Sequence, residues 1–518
     1  MDALASCDFF EGNGSPKNKA LSARDRITRA PKALGFVDLK PVVSLTPAGQ
    51  ELVYGKRPQE IFLRQLMKFQ LPSPYHKENK GVEGAFGVRP YLEIMRLIRE
   101  LDSLTFDEFK IFALQLTDYR LFQKVKSAIL TFREEKEQHK GQYKRFADET
   151  WSAEIEAIYS DRIAKGETKT RQTKDASLSK FIKTQKSNLR DYTDACFRYL
   201  RYTGLTQISY KGRSISFFQD KLNEVDYLLQ TVERNPVFLD NTNDFKTQLF
   251  DVTIPVLYSD IKENIIDLVM RLDTVTHREL SGKTVDELKD IRDMLILKKR
   301  EAVIDEQVAQ LKSYALYSEI DETFNDIVSG DLYDAPLMLE WNTWRAMTML
   351  NGGRITGNFR VDDAGEPMST AAGNRPDIEC DYIEFVLSVE VTLQSGQRQF
   401  EAEGESVARH FGKMRVETGK EAYCLFIAPT LNPSVITYFY GLNKINLALY
   451  GGKTNIIPLD LDQFRRLIDN SYNHPCHPKP IDVKNFLVSV ISSLENSADE
   501  LEWADHIQRC VENWLVTT

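Results

Sequence analysis

Residues 375–392 read RPDIECDYIEFVLSVEVT, and two of their carboxylates are placed to share one hard cation. Ile383, Phe385, Leu387, Val389 and Val391 alternate with Ser388, Glu390 and Thr392, which predicts a strand with Glu390 on its polar face. A carboxylate on so apolar a strand is costly to bury unpaired, so Glu390 requires a metal, a cation or water. Asp377 lies thirteen residues earlier, after Pro376, at the mouth of the preceding hairpin arm. With the intervening chain turned back, the two carboxylates converge on a divalent cation, which prefers oxygen ligands.

Two helices bring further candidates. One, predicted from about Pro336 to Leu350, carries an apolar stripe of Leu337, Trp341, Trp344 and Met347, has Glu340 at its border and ends at Gly352-Gly353. In the other, Glu403, Val407, His410 and Met414 follow helical spacing, which puts Glu403 and His410 on one side. In phosphodiester hydrolysis, magnesium held by such carboxylates polarises a phosphoryl oxygen, lowers the pKa of a bound water and neutralises the leaving oxygen. His410 either orients a phosphate, moves a proton, or is a histidine packed against the strand. A P-D and an E-x-T at this spacing occur in many strand-rich domains, so their meaning depends on the rest of the chain.

At 518 residues the chain is long enough for two to four domains. Its 42% hydrophobic and 28% charged content is that of a globular protein, with no apolar run long enough to span a membrane. The opening MDALASCDFFEGNG lacks the basic flank and apolar stretch of a signal peptide, so a cytoplasmic protein is expected. Cysteines at 7, 196, 380, 424, 476 and 510 are scattered and form no CxxC pair, which fits reduced thiols. The HPCHP run, with His474, Cys476 and His477, reads as a proline-rich loop rather than a zinc site, because no fourth ligand stands at a suitable spacing.

The net charge of −9 conceals a division. Residues 1–215 hold 38 Lys and Arg against 27 Asp and Glu, whereas the remainder holds 29 against 49. A basic half suits phosphate contact, and an acidic half has carboxylates to spare for metal.

Two N-terminal segments share a plan of helix, glycine-hydrophobic step, hairpin and helix. In residues 24–53, Gly35 closes a helix, Phe36 to Ser44 reads as strand, and Leu45-Thr46 with Gly49 opens the next helix. In residues 197–229, Lys211-Gly212 turns the hairpin. Both predict winged helices. Between them, Tyr91 to Leu130 has helical spacing broken at Ser103-Leu104-Thr105 before Asp107-Glu108, an N-cap signature and a further helix-turn-helix candidate. From about 216 to 330 the chain reads as helical, with amphipathic stretches at Lys262 to Leu272 and Val285 to Leu311. After 331, strands such as Tyr423 to Ile427 and Asn455 to Leu459 alternate with helices, an α/β pattern. The expectation is a multidomain chain: a largely α-helical, winged-helix-type DNA-recognition half (1–215), a helical connector (216–330) and an α/β catalytic domain (331–518).

The chain resembles the AlwI family of type IIS restriction endonucleases and their nicking relatives, from about residue 22 onward. The resemblance rests on SARDRI at 22–27 with GF at 35–36, KRPQEIFLRQLMKFQLPS at 56–73, FREEKEQHKGQ at 132–142 and RYLRYTGL at 198–205. AAGNRPDIE at 371–379, EVT at 390–392 and YCLFIAP at 423–429 complete it. It implies a variant of the PD-(D/E)XK nuclease fold in which Thr392 stands at the usual lysine position. It further implies a catalytic set of Glu340, Asp377, Glu390, Glu403 and His410. Magnesium, with manganese as a substitute, would be held by Glu340, Asp377, Glu390 and Val391, the last through its main chain. The resemblance implies recognition of a short asymmetric duplex site, with cleavage a few nucleotides to one side. One strand is nicked, or both are cut through a transient dimer or second subunit. A DNA methyltransferase would protect the host's own DNA.

For base and phosphate contacts the candidates are Arg24, Arg26, Lys32, Arg57, Arg64, Lys68 and Lys77, since Arg and Lys suit guanine edges and phosphates. For any one of them a solvated helix face is the alternative. A non-catalytic winged-helix regulator is the competing reading, and four intact acidic positions count against it. An RNA-directed nuclease lacks an aromatic stacking platform.

Overall fold

The computed structural model of the chain describes residues 30–75, 84–170, 175–350, 352–371 and 373–516. They divide into two compact units, one running to Leu295 and the other beginning at Ile296.

The first unit opens with a short helix, Ala30–Ala33, closed by Gly35 at φ 75°. A Cβ there would meet Leu249 at 2.5 Å, so both the left-handed backbone and the close approach require glycine. The single strand expected from Phe36 to Ser44 is instead a hairpin of β1 (Val37–Asp38) and β2 (Ser44–Leu45), since Pro41 between them has no N–H for a ladder. Thr46 then caps α1 (Pro47–Tyr54), its hydroxyl accepting from Gly49 N at 3.0 Å, and α2 (Pro58–Lys68) follows.

Further along, α3 (Pro90–Leu101) leads into β3 (Ser103–Thr105) and α4 (Phe106–Ile111). Thr105 and Glu108 form a capping box: the Thr105 hydroxyl accepts from Glu108 N at 3.2 Å, and the Glu108 carboxylate from Thr105 N at 2.9 Å. The 25-residue helix α5 (Leu178–Tyr202) delivers the chain to a hairpin of β4 (Thr206–Ser209) and β5 (Ser214–Phe217), turned at Lys211-Gly212. Strand β3 joins its free side, giving the order β3-β5-β4. Phe106 and Phe109 pack edge-on against Phe197 of α5, which fixes α4 and α5 together.

The segment 216–330, expected to be a connector, is divided between the units at a point inside α7 (Val285–Lys312). Its first part belongs to the N-terminal unit. Helix α6 (Lys262–Leu272) buries Ile265, Ile266 and Val269 with Leu280 and Leu288, and Lys289 reaches Glu60 at 2.7 Å and Asp260 at 2.6 Å.

The second unit is built on a five-stranded mixed sheet of β6 (Arg354–Gly357), β7 (Ile378–Asp381), β8 (Phe385–Val391), β9 (Glu421–Ala428) and β10 (Ile456–Asp460), in the order β10-β9-β8-β7-β6. Strands β8, β9 and β10 are parallel, while β7 runs antiparallel to both β8 and β6. Helix α8 (Ala335–Met349) precedes the sheet, and α9 (Gln397–Thr418) forms the crossover from β8 to β9. Val407, Ala408, Phe411 and Met414 of α9 pack over Val386 and Phe426. All of Leu337–Met349 is buried, so α8 is an internal helix and the apolar stripe read from its sequence is part of a wider buried surface. Ile383 is a second correction. It is 81% exposed at φ 73° in the β7–β8 turn, off the apolar face that Phe385, Leu387 and Val389 form.

Candidate active site

Strand β8 supplies Glu390 at its C-terminal end, where parallel sheets commonly present functional groups. Only 6% of Glu390 is exposed. Pairing of Val389 with Ile378 puts Asp377, one residue before β7, beside it. The Asp377 carboxylate accepts from Val391 N at 2.8 Å, which ties the loop to the end of β8. From α9, His410 Nδ1 meets Glu390 Oε1 at 2.9 Å. From α8, Glu340 turns a carboxylate oxygen to Ala371 N at 2.9 Å. Glu403 lies two turns before His410 on α9, half-buried.

These groups interact through charge as well as position. Burial pushes Asp377 well above the usual carboxylate range, and the charges of Glu390 and Glu403 add to it. Glu390 is raised in the same way by burial and then by Glu403 and Glu340, with Arg409 opposing. Burial and the neighbouring Asp377 bring Glu340 up to about 8. His410 goes the other way, to about 4, through burial and then the positive charge of Arg409. Glu340, Asp377 and Glu390 thus resist ionising together, with the charge of Glu403 adding to the repulsion, and a divalent cation would relieve it.

Oxygen donors of this kind fit a hard cation such as magnesium. Among the described residues no group of three or more His, Cys, Asp or Glu side chains is preassembled as a metal cage. Instead the carboxylates are turned toward Val391 N, Ala371 N and His410, donors that a cation would displace in part. Thr392 supplies no charge. It is 7% exposed, its hydroxyl accepts from Gln394 N at 3.1 Å, and its own N–H donates to Ile427 O at 3.0 Å.

Two supporting residues had no readable signal. Asn358 donates its side-chain amide to Pro376 O at 2.7 Å and to Glu379 at 2.9 Å, while its main-chain N–H donates to Asp377 O at 2.9 Å. Buried Gln399 donates to Gln394 O at 3.0 Å and Thr430 O at 2.9 Å, and accepts from Asn432 N at 2.7 Å, joining the loops after β8 and β9. A lone Asn or Gln has no periodicity that would mark it.

The residues expected to touch DNA are placed differently. Arg24, Arg26 and Lys77 lie outside the described residues. Lys32 is half-buried, its ammonium 4.8 Å above the Tyr75 ring. Arg64 is buried, with both Asp260 oxygens at 2.7 and 2.9 Å and the Thr253 and Pro255 carbonyls as partners. Lys68 is also buried, donates to the carbonyls of Gln248, Leu249 and Asp251, and is lowered to about 7 by burial. Arg57 spans Asp286, Asp290 and Asp293. Arg57, Arg64 and Lys68 therefore join α2 to the segment after residue 247, and their charges are consumed inside the unit.

No curated protein matches the chain. Among solved structures, the small subunit of the heterodimeric restriction endonuclease R.BspD6I is similar, with 27% identity over 39% of this chain and 98% of that one, at a TM-score of 0.31. The sequence pattern of the AlwI restriction endonuclease family matches residues 32–467, a span that takes in the β3-β5-β4 sheet and every acid of the cluster on β8. The chain belongs to the AlwI restriction endonuclease family.

Proposed function

We propose that this restriction endonuclease is a type IIS enzyme that requires magnesium, reads a short asymmetric duplex site with its N-terminal unit, and hydrolyses DNA a few nucleotides to one side. The observation that carries the reading is the convergence of Glu340, Asp377, Glu390, Glu403 and His410 about the end of β8. The mixed sheet, with α8 before it and α9 crossing from β8 to β9, supports a PD-(D/E)XK-like catalytic core. The order α3, β3, α4, α5, β4, β5, with β3 added to the hairpin, supports a winged helix. On this reading duplex DNA meets the exposed Lys183 and Arg190 of α5 and the exposed hairpin tip at Lys211-Gly212-Arg213.

Asp377, Glu390, the Val391 carbonyl and Glu340 would hold magnesium, with manganese as a substitute. When bound, the cation neutralises charge on the phosphate and makes water a stronger nucleophile. The chain's own groups do the positioning. Val391 N and Asn358 hold the Asp377 loop, and the His410 ring fixes the Glu390 carboxylate. In hydrolysis the water oxygen bonds to phosphorus, one P–O ester bond breaks, and the departing oxygen takes up a proton. On this reading the His410 ring, neutral at the working pH, is the side chain that takes the proton the water loses. A cognate methyltransferase belongs to this reading, as does pairing with a second catalytic domain if both strands are cut.

The test uses supercoiled plasmid, wild-type protein and Glu390→Ala, with magnesium or with EDTA, followed by run-off sequencing of both strands. Discrete magnesium-dependent ends at a fixed offset from one motif, lost in the variant, are expected; they also show whether one strand or two is cut. Intact plasmid with site-specific binding retained would replace the nuclease with a DNA-binding regulator.

A further inference from the structure

The proposed reaction concentrates negative charge on the phosphate beside a cluster whose own four side chains are acids. At the strand position two residues after Glu390, Thr392 is buried and bonded locally, so the strand offers no cation. Helix α9 does. Arg409 immediately precedes His410, and its side chain is 44% exposed. Its Nε lies 3.3 Å from Glu405, one turn back on the solvent side, and Nη1 donates to the side-chain oxygen of Asn374. Asn374 stands three residues ahead of Asp377 in the run Asn374-Arg375-Pro376-Asp377. The guanidinium thus sits at the solvent rim, between the helix that carries His410 and the loop that carries Asp377. One turn further, Lys413 donates to Asn374 O at 3.3 Å and lies 4.0 Å from Glu417, and Arg375 is exposed, so three basic side chains gather where the Asp377 loop meets α9.

We infer that Arg409 binds the scissile phosphate and is the catalytic cation that Thr392 cannot be. The inference rests on the nuclease reading above. As the water oxygen bonds to phosphorus and the ester bond breaks, the guanidinium donates N–H bonds to the non-bridging oxygens and transfers no proton. Its planar fork can engage two phosphate oxygens at once. Asn374 and Glu405 hold it at the rim before DNA arrives, which lowers the ordering cost of binding. A purely structural Arg409 would instead hold the Asp377 loop through Asn374, and its loss would raise the magnesium requirement.

Arg409→Gln, Arg409→Lys and Asn374→Ala are compared with wild type on a duplex bearing the site mapped from the plasmid. Three quantities are read: single-turnover cleavage rate, duplex affinity in calcium, and the magnesium concentration giving half the maximal rate. Arg409→Gln is expected to cleave about 100-fold more slowly, as for loss of one preorganised donor to a developing charge. Its duplex affinity and magnesium requirement stay within about threefold of wild type, Arg409→Lys recovers part of the rate, and Asn374→Ala slows cleavage by less than about tenfold, because Glu405 still orients the guanidinium. Cleavage by Arg409→Gln within about threefold of wild type would overturn the assignment. So would a raised magnesium requirement, or an Asn374→Ala variant as slow as Arg409→Gln, since both assign Arg409 to holding the loop. A wild type that does not cleave, or a Glu390→Ala variant that does, removes the nuclease reading itself and this assignment with it.

Discussion

Replacing Arg64 with methionine separates an internal ion pair from a DNA contact. The guanidinium makes two bonds to Asp260, at 2.7 and 2.9 Å, and donates to the carbonyls of Thr253, at 3.0 Å, and Pro255. Methionine fills much of the same volume but leaves those carbonyls and part of the carboxylate unpaired. Breaking a buried ion pair by removing one partner costs about 3–5 kcal/mol. Asp260 keeps Lys289 at 2.6 Å and Leu257 N at 2.6 Å, which argues for the lower end. A loss of about 3 kcal/mol corresponds to a fall in Tm of roughly 6–12 °C for a unit of this size. Calorimetry measures it directly. Duplex affinity, taken at several salt concentrations where both proteins remain folded, completes the assay. A phosphate contact contributes about 0.9 to the slope of log affinity against log salt, and Arg64→Met is expected to leave that slope unchanged. A slope shallower by about 0.9 with no change in Tm would refute the internal role and restore Arg64 to the DNA interface.

Glu340 provides a pH test. Its pKa in the folded chain, about 8, lies above the ordinary 4.5, so its contribution to stability is present below 4.5 and lost as pH rises through 8. Glu340→Gln keeps the neutral form, so without metal its Tm should gain on wild type between pH 5 and pH 9, and a constant difference would contradict the buried acid. Asn358→Ala removes two of the three bonds that Asn358 makes to the Pro376–Glu379 segment and should slow single-turnover cleavage about tenfold with duplex affinity retained. An unchanged rate would show that the Asp377 loop holds its position without them. Thr105→Ala removes the hydroxyl half of the capping box and should lower stability by about 1 kcal/mol in denaturant unfolding. No shift in the midpoint would mean that the β3 pairing and the packing of Phe106 and Phe109 on Phe197 fix α4 without the cap.

Where local rules govern, the sequence was legible. Alternation located β8 and its acid, helical spacing put Glu403 and His410 on one side of α9, and Lys262–Leu272 is a helix at the residues its periodicity marked. The thirteen-residue interval from Asp377 to Glu390 was readable as an arm turned back, because a short antiparallel hairpin leaves its two ends adjacent. Long-range packing was not legible. Ile383 continues the alternation in sequence, yet the hairpin needs a turn there, and turn geometry overrides the pattern. Trp341, Trp344 and Met347 mark one stripe of α8, but the packing of helix Tyr317–Ser329 and the sheet around it encloses every side. Arg57, Arg64 and Lys68 had the spacing of an exposed basic helix face, and only the fold reveals partners about 180 to 240 positions away in the chain.

Those buried pairs change how the basic half is to be read. An excess of Lys and Arg over Asp and Glu in residues 1–215 measures charge by sequence position, whereas DNA responds to charge at the surface. Asp260, Asp286, Asp290 and Asp293 lie beyond residue 215 but neutralise Arg57 and Arg64 within the same unit, so the boundary that makes the first half look basic passes through its own ion pairs. The reverse holds in the second unit, where an acidic total conceals a local group of basic side chains, Arg375, Arg409 and Lys413, beside the Asp377 loop. On the proposed reading, phosphate would meet these basic side chains before the acids, and Arg409 would supply the charge that Thr392, just past the end of β8, does not.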